Sequence, residues 1–214
     1  WSDPVVVYPM HAMCCAGHAI VLDNGRIVAP SYRWISFDET VASEADNYMS
    51  FSFVLVSDDE GETWQQSLSE LFVCKYRVCY ALGEPAVVPL RDGRLFMDLR
   101  SEHGRRYRSF SKDGGMTWDE DLKVSDQQYL VAYHNIGVGV DNELHLIYYS
   151  YNNNYSFNSV RYATSPSGLI DFSSSEPVGI ANEEMEPCDC CQPDLVIRGN
   201  GDLYIGYRNN NSNL

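Results

Sequence analysis

Glu84 and Arg100 stand sixteen positions apart on either side of an Asp92-Gly93 pair. Asn-Gly or Asp-Gly between alternating apolar runs is the strongest short-range hairpin signal. Read as a two-residue turn, Asp92-Gly93 sets Glu84 opposite Ser101 and Arg100 opposite Pro85, at the end of the hairpin remote from the turn. A planar guanidinium binds a carboxylate through two parallel hydrogen bonds. Arg100 therefore suits an anionic ligand, while the same two residues also suit an ordinary cross-hairpin ion pair.

Three more turns of this kind occur, at Asn24-Gly25, Asp141-Asn142 and Asn200-Gly201. Their flanking strands are expected at 19–23 with 26–32, 138–140 with 144–149, and 195–199 with 203–208; those around Asp92-Gly93 fall at 85–91 and 94–100. Two-residue turns set Gly17 opposite Tyr32, His134 opposite Tyr149, Gln192 opposite Asn209 and Pro193 opposite Arg208. Third strands are expected at 51–56, 106–110 and 160–164. Residues 34–50 and 65–82 read as longer connections, Asn152-Asn153-Asn154 reads as a polar loop, and no convincing amphipathic helix is present.

After the third strand comes a repeated octapeptide. Ser57-Asp58-Asp59-Glu60-Gly61-Glu62-Thr63-Trp64 returns as Ser111-Lys112-Asp113-Gly114-Gly115-Met116-Thr117-Trp118, with the tryptophans 54 residues apart. A worn copy, Ser165 to Phe172, puts an aromatic another 54 residues on. Self-similarity at such a period marks repeated supersecondary units. Ser, Thr and Asp side chains bond the backbone of a tight loop, Gly permits positive φ, and Trp supplies an apolar plug. The octapeptide thus specifies architecture and carries no chemistry.

It resembles the Asp box of the sialidase (neuraminidase) superfamily, whose members are six-bladed β-propellers. The resemblance implies an all-β fold of four-stranded antiparallel blades, with the box joining each blade's outer strands far from the active centre. Six such blades need roughly 320 residues, so residues 1–214 are read as a partial propeller. Three complete blades would be flanked by two partial ones, with Trp1 to Val7 an outer strand and no second domain. In such a ring the inner hairpins present one end to a common face. His18, Tyr32, Glu84, Arg100, His134, Gln192 and Arg208 would converge there.

Glu84-Pro85-Ala86-Val87-Val88-x-Leu90-x-Asp92-Gly93-Arg94-Leu95, continuing to Arg100-Ser101, resembles the sialidase segment E-P-x-V-V-E-L-x-D-G-R-L…R-S. By that resemblance Arg100 is the second of three arginines that clamp the sialic acid carboxylate, and Glu84 activates a tyrosine nucleophile. A phenol avoids forcing a carboxylate against an anionic substrate. The stretch Gly17 to Tyr32 resembles G-H-G-I-x-L…G-R-L-V-x-P-x-Y, which implies that Tyr32 and Trp34 contact substrate. Beyond about residue 130 the pattern departs. Cys191-Gln192-Pro193-Asp194-Leu195 stands where the family has Y-S-D-L, with Gln192 in place of the phenol. The third arginine has no counterpart among Tyr149, Tyr151, Asn152 and Tyr155; Arg161 lies further out, and Arg208 is the compensating candidate. The first arginine and the general acid aspartate would precede Trp1. If catalysis occurs, register favours Tyr149 as nucleophile, facing His134 with Glu84 as base. Two readings remain: an exo-α-sialidase-like hydrolase of terminal sialic acid or a related acidic sugar, and a superfamily propeller that binds carbohydrate without catalysis or hydrolyses a different sugar.

The formal net charge of -15 disfavours nucleic acid as a partner. A glycan is the expected partner, with no cofactor and no metal. The seven cysteines lack the paired C-x-x-C of a zinc site and read as buried thiols with one or two disulfides. Asn154-Tyr155-Ser156 and Asn210-Asn211-Ser212 are glycosylation sequons. No stretch is apolar enough to span a membrane, and the resemblance implies a secreted or periplasmic setting.

Overall fold

The computed structural model describes residues 6–8, 18–36, 48–75, 78–80, 82–101, 106–119, 122–123, 131–151, 157–166, 172, 174–178 and 192–209. Every element among them is a strand, so no described helix is available to cross a membrane. Strands β1 (Ile20–Val21), β2 (Ile27–Ser36), β3 (Tyr48–Ser57) and β4 (Gln65–Gln66) form a first antiparallel meander. A small hairpin, β5 (Val73–Lys75) with β6 (Val78–Tyr80), follows. Strands β7 (Leu82–Pro89), β8 (Leu95–Ser101), β9 (Arg106–Ser111) and β10 (Leu122–Lys123) form the second meander. The third comprises β11 (Val131–Val138), β12 (Leu144–Tyr151), β13 (Phe157–Ser165) and β14 (Glu176–Pro177). A last hairpin pairs β15 (Asp194–Ile197) with β16 (Leu203–Gly206). Strand β11 begins well before the expected residue 138, and 65–82 carries three short strands as well as connections.

All four inner turns are one residue longer than their sequences suggest. Leu22 N–H donates to the Arg26 carbonyl at 2.9 Å and Gly25 N–H to the Leu22 carbonyl at 2.8 Å. The same double closure recurs between Leu90 and Arg94, Gly139 and Glu143, and Arg198 and Asp202. A two-residue type I′ turn needs positive φ at both central residues, whereas a type I turn closed by a left-handed residue needs it only at the last. Here only the last loop residue has it: Gly25 (+86°), Gly93 (+85°), Asn142 (+62°) and Gly201 (+88°). Asn24 and Asp92 fix the turn by accepting the N–H two residues on, each at 3.1 Å.

The expected cross-strand partners of the described residues therefore shift, while Gly17, expected opposite Tyr32, lies outside the described residues. Val87 faces Met97, and beyond an irregularity at 84–85 Gly83 faces Arg100 and Leu82 faces Ser101. Glu84 thus does not pair with Ser101, nor Arg100 with Pro85. His134 faces Tyr148, and Tyr149 faces Ala132. The β15–β16 ladder ends at Asp194 and Gly206, leaving Gln192, Pro193, Arg208 and Asn209 beyond it.

The second and third meanders are buried on both faces, which is why their strands read as near-continuous apolar runs. From β8, Leu95, Met97 and Leu99 join Val28, Val54 and Trp118 in a core between the first two meanders. Phe96 points the other way, into a core with Ile136, Leu146, Tyr148 and Phe172 between the second and third. Ile147, Tyr149, Val160 and Leu195 form a further core against the last hairpin.

The octapeptides close as their composition dictates. Asp113 Oδ1 accepts the Ser111 hydroxyl at 2.8 Å and Thr117 N–H at 2.9 Å, and Trp118 Nε1–H donates to the Gly115 carbonyl at 3.0 Å. Ser57, Asp59, Thr63 and Trp64 repeat the pattern. The worn copy keeps the plug: Phe172 fills the second inter-sheet core as Trp118 fills the first, a burial worth about 1.5–3 kcal/mol for a Phe side chain. Arg26 joins two boxes. It grips Asp58 through Nε and Nη2 at 2.7 and 2.8 Å, while Nη1 donates to the Asp113 and Gly114 carbonyls at 3.1 and 3.3 Å. Gly115 tests the box directly, since its φ is +96° and an added Cβ would sit 3.3 Å from Val54 Cγ2. Gly115→Ala is expected to cost more than about 1 kcal/mol, measured by urea unfolding; an unchanged midpoint would contradict this geometry.

Backbone pairing sets Cys74 opposite Cys79. Residues 1–5, both sequons, the Asn152-Asn153-Asn154 loop and the other five cysteines lie outside the described residues.

Candidate functional site

The residues that close each inner turn, Leu22, Leu90, Gly139 and Arg198, give the hairpins a common origin. Six positions back lie Glu84 and Gln192; four positions back lie His18, Ala86, Asn135 and Asp194. Both β7 and β11 break register near this level, between Gly83 and Ala86 and between Ala132 and His134. Such bulges re-aim side chains and gather next to active sites. Glu84 sits in one of them with φ +50°, a left-handed conformation uncommon for a non-glycine residue.

The bulge turns Glu84 inward to meet Arg100, whose Nη1 donates to Glu84 Oε1. The Glu84 side chain keeps 6% exposure and Arg100 29%, so the acid lies inside and the guanidinium reaches toward solvent. Tyr32 is brought to the same place: a Cβ on Gly83 would lie 3.4 Å from Tyr32 Cε2. The Ser50 and Ser52 hydroxyls both donate to the Leu82 carbonyl, at 2.8 and 2.9 Å, tying β3 to the start of β7. Trp34 lies on β2 opposite Ser50.

Behind this pair is a group that sequence reasoning missed. Arg106 on β9 forks onto Asp98 on β8, with Nε donating to Oδ1 at 3.1 Å and Nη2 meeting Oδ2. His134 on β11, from the next meander, places Nε2 3.2 Å from Asp98 Oδ2. All three are buried, and the Arg106 guanidinium lies over the Tyr148 ring at 5.8 Å. Burial pushes the Arg106 pKa down to about 9 while Tyr148 and Glu84 hold it up, so it stays protonated at neutral pH. Burial, then the nearby Arg106 and Arg100 charges, drive His134 well below its usual value, leaving a neutral imidazole. Two carboxylates thus oppose two guanidinium groups around an uncharged ring. The available signal was Asp98 itself, a lone carboxylate inside the apolar run Leu95-Phe96-Met97-Asp98-Leu99.

Tyr149 does not reach this place. It faces Ala132, its side chain is fully buried, and it packs with Ile147, Val160 and Leu195. Arg161 donates to Ser175 Oγ at 2.8 Å, beside β14. Gln192 and Arg208 are exposed at the open end of the last hairpin. His18 meets Asp194 Oδ1 at 3.2 Å, a contact from the first hairpin to the last that also draws in Asn135 (Nδ2 to Oδ1, 3.0 Å). The first, third and last hairpins therefore meet at Asp194.

Residues 1–136 match the BNR repeat-like domain family. The chain belongs to that family. Among solved structures, this BNR-repeat chain resembles NanB sialidase of Streptococcus pneumoniae in its K499G form, with 16% identity and a TM-score of 0.61 over 90% of this chain and 27% of that one. It also resembles Trypanosoma rangeli sialidase in complex with 2,3-difluorosialic acid as a covalent intermediate, with 19% identity and a TM-score of 0.58 over 91% and 29% of the two chains. A GH93 α-L-arabinofuranosidase of Fusarium graminearum, bound to arabinobiose, gives 15% identity and a TM-score of 0.60 over 89% and 55%. At these identities the likeness is one of fold, and the BNR-repeat chain spans between about a quarter and just over half of those structures. No curated protein matches it.

Proposed function

We propose that this chain is part of a six-bladed β-propeller glycoside hydrolase that acts outside the cytoplasm and releases a terminal sialic acid, or a related acidic sugar, from glycoconjugates. The three meanders are three of its blades, and β15–β16 opens the next. One observation carries the reading: a strained bulge buries Glu84 against Arg100 at the open end of an inner hairpin. Arg100, partly exposed, would receive the substrate carboxylate on the N–H edge of its planar guanidinium. Glu84, shielded from solvent behind it, would serve as the base that activates a nucleophile. A local guanidinium lets an anionic sugar bind despite the net charge of -15.

A second reading, a hydrolase of a different sugar, is favoured by the position of the phenols. Tyr148 and Tyr149, the described β12 tyrosines nearest the site in register, are both fully buried, and Gln192 stands at the level of Glu84. The deciding experiment sets the whole protein against fluorogenic sialosides and α-L-arabinofuranosides, with glycan binding followed in parallel. Release from sialosides supports the first reading. Silence on sialosides with cleavage of the arabinoside supports the second, and binding without cleavage of either leaves a carbohydrate-binding propeller.

A further inference from the structure

We infer that Asp194 is the acceptor that reads a hydroxyl-bearing edge of the glycan, a role that rests on the carbohydrate reading above. Three donors meet on one oxygen of its carboxylate. Asn135 Nδ2 donates to Oδ1 at 3.0 Å, Leu195 N–H at 2.9 Å, and His18 Nε2 stands 3.2 Å away. Oδ2 takes none of the described hydrogen bonds, and the side chain keeps 55% exposure. The carboxylate is thus held by three donors on one oxygen while its side chain stays more than half exposed.

The holders are themselves fixed. Asn135 is buried, and its Oδ1 accepts the N–H of Ile136 at 2.8 Å. His18 arrives from the first hairpin, 176 residues away in sequence. Asp194 shares its level with His18, Ala86 and Asn135, two positions nearer the turns than Glu84 and Gln192. It therefore belongs to the same end of the inner hairpins as the Glu84–Arg100 pair.

The chemistry selects the ligand. Among the described residues no second carboxylate touches Asp194, so a hard divalent cation would find too few oxygen ligands there. An immobilised carboxylate oxygen is instead a strong acceptor for a neutral hydroxyl, because a hydrogen bond to an ionised acceptor is roughly twice as strong as a neutral one. Ala86 at the matching position of the second hairpin adds no polar group and little bulk. A glycan with an anionic group toward Arg100 and a hydroxyl edge toward Asp194 satisfies both, and a site built to bond a hydroxyl discriminates strongly against the analogue that lacks it.

The test uses the whole protein, N-acetylneuraminic acid and L-arabinose as probes, and the single-deoxy analogues of whichever sugar binds. Asp194→Asn, which keeps the shape and removes the charge, is expected to raise Kd about 10- to 100-fold with an unchanged melting temperature. One deoxy analogue should bind wild type as weakly as the variant, and bind both equally. Affinity within twofold of wild type in Asp194→Asn overturns the inference, as does an equal loss across every deoxy analogue. If wild type binds neither probe, the carbohydrate reading itself fails and this inference falls with it; only in the two preceding cases does binding survive while Asp194 loses its role.

Discussion

Asp98→Ala is expected to destabilise the protein by about 3–5 kcal/mol, because it leaves a buried guanidinium without its counter-charge. Asp98 is fully buried, and Arg106 makes its fork onto it with almost no solvent contact. Replacing both partners, Asp98→Leu with Arg106→Met, should recover most of that loss, since an apolar pair of similar volume removes the demand for compensation. Urea unfolding of the two variants measures both numbers. A loss below about 1 kcal/mol in Asp98→Ala would mean that water or another acid reaches Arg106. The same cluster gives a pH dependence whose sign follows from His134. Its folded pKa lies below the unfolded value of 6.5, so the unfolded chain takes up the proton first as pH falls. Stability is then complete above about pH 6.5 and is lost below it, at a limiting slope of about 1.4 kcal/mol per pH unit. His134→Gln should flatten that slope between pH 5 and 6.5, and an identical slope in the variant would assign it to other groups.

Arg100→Ala is expected to lower kcat/KM on an acidic glycoside by about 100- to 1000-fold, the usual consequence of removing one preorganised donor from a developing or bound anion. Arg100→Lys should recover little of this, because an ammonium is a point charge and cannot present a planar fork. Steady-state rates on the fluorogenic sialoside decide it. If Arg100→Lys matches wild type, Arg100 acts through charge alone; if Arg100→Ala does so, the pair is a structural ion pair.

Local chemistry made the repeated four-stranded pattern readable. The box names its own hydrogen bonds, and its spacing from one tryptophan to the next needs no long-range information. Turn length was harder to read, because Asn24-Gly25 and Asp92-Gly93 suit two loop lengths that differ only in the φ of the first residue. The Glu84–Arg100 contact remained legible through that error: a slip of one position keeps both residues at the same end, and the bulge brings them together. The His134–Tyr149 pairing had no such protection, since a one-residue slip on β11 exchanges one face of the sheet for the other. The early start of strand β11 was hidden because His134 and Asn135 look like loop residues. Both are buried, and their partners, Asp98 and Asp194, sit on other sheets. Asp98, Arg106 and Asp194 escaped notice for the same reason, as burial of a charge becomes visible only when its distant partner is known.

Arg26 has a consequence for how the molecule comes apart. Tandem repeats invite the picture of beads that open one at a time, each with its own threshold. A single guanidinium that bonds Asp58 in one repeat and two backbone carbonyls in the next works against that independence. Opening the first repeat strips a charged donor from the loop of the second, and opening the second strips two acceptors from the first. The hinge between them is therefore stiff at its rim, and the smallest cooperative opening there involves two repeats.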